Sequence, residues 1–415
     1  MGPTTSRGAI ESHHPWRAGN HWLSAVPTEV AFLNAGLATL QFQSVSVDAS
    51  NVNNLIGGTQ DNGTQLLQGA GTAWNEQVGG DGGQSGINVA NPAISFHSYY
   101  SPAHDVNFHS GDPTSWDWIA DPLGNNEAGS FYVPMIYDPN PAAPNTMFEG
   151  EQHIFRTTDN GGSQAFLDAN CNEFATNPDP SIRCGDWLPL GGQYANPNNR
   201  YPSTVLNDAS DLSGTYWGLD KGGDAPAGNY VVAISRAPSN TGTLWAATRR
   251  GRVFISTNAD AANAQSVSFT RIDDSSTPTR FVSGIAVDPS DPYHAFISYS
   301  GYDAYAKAVG TAIGHVFEVR YNPQTGKATW KDLSAGLGDL PVTGIAFNSH
   351  ANQVFIATDF GVLTSIGGGS PHWLPVGTGL PRVAVYGITL AHTSTGSVLY
   401  AATHGRSVWS LNLKY

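Results

Sequence analysis

Residues 42–83 read FQSVSVDASNVNNLIGGTQDNGTQLLQGAGTAWNEQVGGDGG, and the rest of the chain is organised around variations on this stretch. It opens on an alternating run, Phe42-Gln-Ser-Val-Ser-Val47, the pattern of a half-buried strand. A polar turn over Asp48–Asn54 leads to a second short strand, Leu55–Gly58, then a tight turn, Thr59-Gln-Asp-Asn-Gly63. A third strand, Thr64–Leu67, and a fourth marked by Trp74 complete the unit, which closes on Gly79-Gly-Asp-Gly-Gly83. Four short strands per ~40 residues, separated by turn residues, predict one blade of a β-propeller.

The unit returns. Val231-Val-Ala-Ile-Ser235 with Leu244-Trp-Ala-Ala-Thr248, Val282-Ser-Gly-Ile-Ala-Val287, Val342-Thr-Gly-Ile-Ala-Phe347 and Val385-Tyr-Gly-Ile-Thr-Leu390 are further copies. Counting starts near Phe42, Gly86, Phe131, Tyr230, Val282, Val342 and Val385 predicts an all-β chain with a single seven-bladed propeller, six being the second count. The weakest copy is the second, where 93–100 and 106–109 fit only loosely. The last copy has three strands, and Val30–Leu37 resembles an outer strand. The expectation is therefore an N-terminal arm over 1–28 and a propeller over 29–415, its ring closed by an N-terminal strand in the last blade. Inserts are expected at 167–186, read as a loop, and at 192–228.

At 415 residues the chain is long for one ordinary domain, but a propeller escapes that limit because each blade packs only on its neighbours. With 47 Gly, 26 Pro and only 13% charged residues, the composition suits many turns rather than disorder. A net charge of −14 argues against nucleic-acid or anionic-membrane partners. The expected partner is a polysaccharide or small-molecule substrate, and the expected state a monomer. Met1–Arg7 lacks an apolar core and does not read as a signal peptide, so either a signal has been removed or the chain starts inside a longer protein. The only two cysteines, Cys171 and Cys184, lie in one Pro/Asn-rich loop and predict a disulfide, hence a secreted or periplasmic protein.

Thr157-Thr-Asp159-Asn-Gly161 resembles the Asp-box of BNR-repeat propellers, and Thr59-Gln-Asp61-Asn-Gly63 matches its spacing one turn earlier in its blade. Ser256-Thr-Asn258-Ala-Asp260 and Ser365–Gly369 look like decayed copies. The blade order resembles the BNR-like propellers of the sortilin and xyloglucanase type over about residues 30–412. The box itself is a structural turn, with Asp capping amides and Gly at positive φ. Sialidases share the repeat, but their Arg-Ile-Pro motif is absent.

Aligned copies place Gln60, Asp61, Gln152, His153, Arg249, Arg250, Ser300, Tyr302, Asp359, His404 and Arg406 in turns after second strands, on one face of the ring. Asp61, Asp81, Asp359, His153 and His404 are the candidate catalytic groups. Gln60, Gln152, Arg249, Arg250, Arg406, Tyr302, Trp118 and Trp217 are the candidate substrate contacts. The resemblance implies two Asp residues acting as acid and base across a cleft, and an inverting pair stands ~6.5–9.5 Å apart. The expected function is a secreted hydrolase acting on glycans. One alternative is a calcium-assisted esterase, lactonase or phosphotriesterase with Asp61, Asn62 and Asp81 as ligands; another is a propeller that binds without catalysis. No cofactor is required on the first reading. Calcium enters on the second, and Asp168-Ala-Asn170-Cys-Asn172-Glu173 also carries oxygen donors at alternate positions.

Overall fold

The computed structural model describes residues 39–124, 127–175, 179, 181–192, 204–217, 228–304, 313–366, 372–394 and 396–414. Within them seven antiparallel sheets follow one another along the chain, six of four strands and the last of three. The blades span 46–78, 85–118, 135–189, 231–271, 282–332, 342–375 and 385–414. The first strands of successive blades neighbour one another, and that of the last blade returns to that of the first, so the ring closes. This is a seven-bladed β-propeller.

Neighbouring blades pack through apolar contacts between sheet faces, and at four junctions a hydroxyl adds a tie. Ser44 Oγ donates to Gly83 O at 2.7 Å, Ser283 Oγ to Val342 O at 2.6 Å, and Thr389 Oγ1 to Val45 O at 2.6 Å, with Thr343 Oγ1 bonded to Val385 O in the same way. A second recurring tie uses tryptophan. The indoles of Trp187, Trp330 and Trp373 donate to Ile119 O, Ile272 O and Leu333 O, each at 2.9 Å, tying an outer strand to the end of the preceding blade. A buried indole needs such an acceptor.

Blade 7 meets blade 1 through a shared core of Phe42, Val45, Leu55, Val398, Tyr400 and Ala402. Phe42 N donates to Thr403 O at 3.2 Å and Ser407 N to Leu40 O at 2.9 Å. The expected closing strand, Val30–Leu37, lies outside the described residues, as does the whole arm over 1–28.

Two local expectations differ from what is observed. The first strand covers Ser46–Asp48 rather than beginning at Phe42. Pairing still reaches Phe42 through an isolated bridge to Thr59, and between that bridge and the strand the Ser44 hydroxyl accepts the Gly58 N–H at 3.3 Å. The insert read as a loop from 167 begins with a helix, Gln164–Asn170, anchored by the fully buried Leu167. Cys171 and Cys184 then form a disulfide that closes the insert onto the core shared by blades 2 and 3.

Candidate functional site

Strands alternate in direction within a blade, so turns between second and third strands and connections between blades emerge at the same end. The central channel encloses a cavity of about 530 Å³ walled by the first strands, and among the described residues no charged side chain lines it. Its Ser and Thr hydroxyls are taken up by the blade-to-blade bonds of the first strands.

The mouth between blades 1 and 2 is built by close backbone contact. Gly63 N donates to Gly80 O at 2.6 Å and Gly82 N to Thr59 O at 2.9 Å. A Cβ at Gly82 would lie 2.4 Å from Gly63 O, so only glycine lets the connection press on the turn. This contact brings Asp81 to Asp61. Asp61 sits at φ 58°, at the tip of its turn, and its backbone N–H donates to Asp81 Oδ1 at 3.3 Å. Tyr132, from the connection between blades 2 and 3, donates its hydroxyl to the same oxygen at 3.0 Å. Burial, then the Asp81 bond and charge, push the Tyr132 phenol above its ordinary range, so it stays a donor.

Beside this pair runs a ladder of rings. Tyr99 and Tyr100 stand 4.8 Å apart, Tyr100 stacks on Phe131 at 5.7 Å and 18°, and Phe131 meets Tyr132 at 4.9 Å. Tyr100 is 47% and Phe131 55% exposed, which is uncommon for packed rings and suits a ligand platform. The sequence pattern marks Phe131 only as a blade start; its exposure depends on the fold. Gln60 is held by Gln41 Nε2 at 3.1 Å, and the Asn62 amide donates to Gln60 O at 2.9 Å.

A second cluster forms at blades 5–7. The Tyr302 hydroxyl donates to Asp359 Oδ2 at 3.1 Å, and this bond, with the carboxylate charge, raises the Tyr302 phenol. Tyr386 and His404 pack edge to face at 4.8 Å, and burial followed by the Asp359 charge raises the Tyr386 phenol. Arg406 engages this region through its backbone, accepting from the Trp409 indole at 2.9 Å. Between blades 4 and 5, Arg249 and Arg250 line a cavity of about 570 Å³ with Arg280 and Phe281. Arg249 donates to Gly228 O at 3.1 Å and lies over the Tyr230 ring.

His153 is placed differently. It is fully buried, with Nδ1 2.7 Å from Glu127 Oε1 and Nε2 3.3 Å from Asp208 Oδ1. Burial opposes its charge, but Glu127 and Asp208 together hold its pKa at about 10. Burial also opposes the charge on Asp208, yet hydrogen bonds from His153 and Ser210 bring it down to about 2. Below them Glu149 and Glu151 are pushed well above the carboxylate range, first by burial and then by neighbouring acids, and burial lowers His104 to about 3. Gln152 is buried too, donating to Ser213 Oγ at 2.9 Å and accepting from Ala128 N at 2.8 Å. These groups hold the insert rather than face solvent.

Neither tryptophan named as a substrate contact is a free ring at the mouth. Trp118 lies on the outermost strand of blade 2, its indole donating to Asp121 Oδ1 at 2.9 Å, and Trp217 packs edge to face on Phe254 at 5.3 Å. The alternating donors at 168–173 do not converge either. Asp168 and Asn170 are two apart on a helix, where side chains do not share a face, and Asp168 contacts His109 at 3.0 Å.

The turn at Asp159 behaves as a structural device. Thr157 Oγ1 accepts from Gly161 N at 2.9 Å, with Asn160 and Gly161 at positive φ. In blade 4 Ser256 Oγ donates to Asn258 Oδ1 at 3.2 Å, as Thr157 Oγ1 does to Asp159 Oδ1 at 3.2 Å in blade 3.

No family model and no curated protein matches this chain. Among solved structures it is similar to the GH74 xyloglucanase from Xanthomonas campestris, at 12% identity and a TM-score of 0.54, over 91% of this chain and 52% of that one. It is also similar to YCF48 from Cyanidioschyzon merolae, at 12% identity and a TM-score of 0.53, covering 91% and 96% of the two chains. The Cps50 (Swd1) beta-propeller domain of Myceliophteria thermophila aligns at 10% identity and a TM-score of 0.53, covering 90% and 97%. The chain thus spans about half of the xyloglucanase, and these likenesses establish one thing, the propeller fold.

Proposed function

We propose that this protein is a secreted hydrolase of neutral glycans whose centre lies at the propeller mouth between blades 1 and 2. The observation that carries this reading is the joint hold on Asp81 Oδ1 by the Tyr132 hydroxyl and the Asp61 amide, beside an exposed ladder of rings. Aromatic faces suit the apolar faces of sugars, and a chain of net charge −14 accommodates an uncharged polymer. Asp81, which two donors already address, is the acceptor. It takes a proton from a water that attacks the anomeric carbon, while Asp61, at the exposed tip of the turn, gives a proton to the departing glycosidic oxygen. The Cys171–Cys184 disulfide supports an oxidising compartment.

The ladder alone also supports a second reading, glycan binding without turnover. One experiment separates the two: turnover and binding on a panel of neutral glycans for the wild type, Asp61→Asn and Asp81→Asn. Turnover lost in both variants with binding kept supports the hydrolase. Binding without turnover in the wild type supports the second reading, and neither binding nor turnover overturns both.

A further inference from the structure

The turn between the second and third strands of blade 5 and the connection from blade 5 to blade 6 bring together Asp303, His315 and Asp339. His315 immediately precedes the third strand of blade 5, Val316–Asn322, and is 1% exposed. Its Nδ1 lies 3.2 Å from the Tyr299 carbonyl oxygen. A carbonyl only accepts, so Nδ1 carries the hydrogen and Nε2 is left with a lone pair. That Nε2 is buried without a hydrogen-bond partner and stands 3.6 Å from both Asp303 Oδ1 and Asp339 Oδ1. A lone pair aimed at two carboxylates is repulsive unless a positive charge lies between them.

The Arg280 guanidinium is directed at oxygens, donating to Asp303 Oδ1 at 3.2 Å, to Gly301 O at 2.9 Å and to Gly314 O. Asp303 N donates to Asp339 Oδ1 at 2.6 Å, which orients the second carboxylate toward the imidazole. One donor atom from each residue lies within 4.8 Å of the others. Ligands bound at ~2.1 Å around a tetrahedral ion are about 3.4 Å apart, close to the two observed 3.6 Å separations.

We propose that Asp303, His315 and Asp339 form a binding site for a divalent transition-metal ion of the zinc class. Imidazole with two carboxylates selects zinc or a neighbouring transition metal over calcium or magnesium, which prefer all-oxygen shells. The backbone bond at Nδ1 is the outer contact that fixes the ligating tautomer. Three protein ligands leave one position open, and the Asp339 side chain, 43% exposed, gives that position a route to solvent. The site adjoins the Tyr302–Asp359 pair on the mouth and is distinct from the Asp61–Asp81 pair.

The test is calorimetric titration of chelator-treated protein with zinc chloride, repeated with Asp339→Asn and with calcium chloride. Asp339 is exposed, so this variant keeps the fold, which circular dichroism checks; His315→Ala serves as a second variant where it folds. The expected result is one zinc ion per chain at micromolar Kd or tighter, weakened at least tenfold in Asp339→Asn, with calcium not competing. Zinc bound equally by wild type and Asp339→Asn, as His13, His14 and His21 alone would give, overturns the proposal. So does no zinc bound by the wild type, or calcium bound in preference.

Discussion

Two turns at the same topological position have opposite fates. In blade 1, the turn Thr59–Gly63 carries Asp61 into solvent and meets the glycine-rich connection bearing Asp81. In blade 3, the corresponding turn carries Glu151, Gln152 and His153, all of them buried. The difference lies in the segments beside each blade. The short glycine-rich connection over 79–84 leaves the first turn open, whereas 204–217 of the second insert and Glu127 cover the other. A propeller position therefore does not define a site; the connection beside it decides whether its polar groups meet ligand or one another.

The comparison is broken most severely by removing the charge that covers blade 3. Glu127→Ala leaves His153 buried without its main partner and is expected to cost on the order of 3–5 kcal/mol in urea unfolding. A loss below about 1 kcal/mol would mean that the network does not hold the insert. The converse holds at blade 1. Asp61→Asn is expected to lower glycan turnover ~10²-fold or more, with stability changed by no more than about 0.5 kcal/mol, the usual range for an exposed substitution. A variant that unfolds early instead would place Asp61 among the structural turns.

The blade 3 network also sets a pH dependence. Glu149 is held above its ordinary 4.5, so the fold keeps a proton that the unfolded chain releases, and stability falls as pH rises past 4.5. His153, held at about 10 against 6.5, contributes stability that is complete below pH 6.5 and is lost as pH approaches 10. Asp208, held at about 2 against 3.8, acts oppositely and loses its contribution only as pH falls below 3.8. Glu149→Gln keeps the neutral shape without the titration. Urea midpoints at pH 4, 6 and 8 should therefore fall less steeply in this variant than in wild type; identical slopes would mean Glu149 is ionised in the fold.

The smallest expected effect belongs to the ring ladder. Tyr100→Ala should weaken glycan binding about threefold to tenfold, in line with ~0.5–1.5 kcal/mol for one aromatic contact, and leave the turnover number nearly unchanged. An equal drop in turnover number and in its ratio to KM would assign the ring to the reacting centre.

The repeat made the blades legible. Val282, Val342 and Val385 begin copies of one strand pattern, and each begins a first strand in the ring. Gly79–Gly83 was equally legible as a close approach, because four glycines around one acid have few other uses. The helix Gln164–Asn170 was missed because its one core anchor, Leu167, gives no period in so short a stretch. The turn alignment located His153 and Gln152 but not their burial, which depends on Glu127 and 204–217, distant in sequence.

By itself the sequence determined the all-β class, the four-strand unit, the count of seven and the pairing of two lone cysteines, since alternation, turn residues and cysteine number are local properties of the chain. Only the tertiary structure decided which polar groups are open and which are sealed. Asp303, His315 and Asp339 share no motif and lie up to 36 positions apart, and they meet because two connections of one blade end on the same side. Burial, the direction of a lone pair and the approach of a second carboxylate arise from the closing of the ring, and no spacing along the chain encodes them.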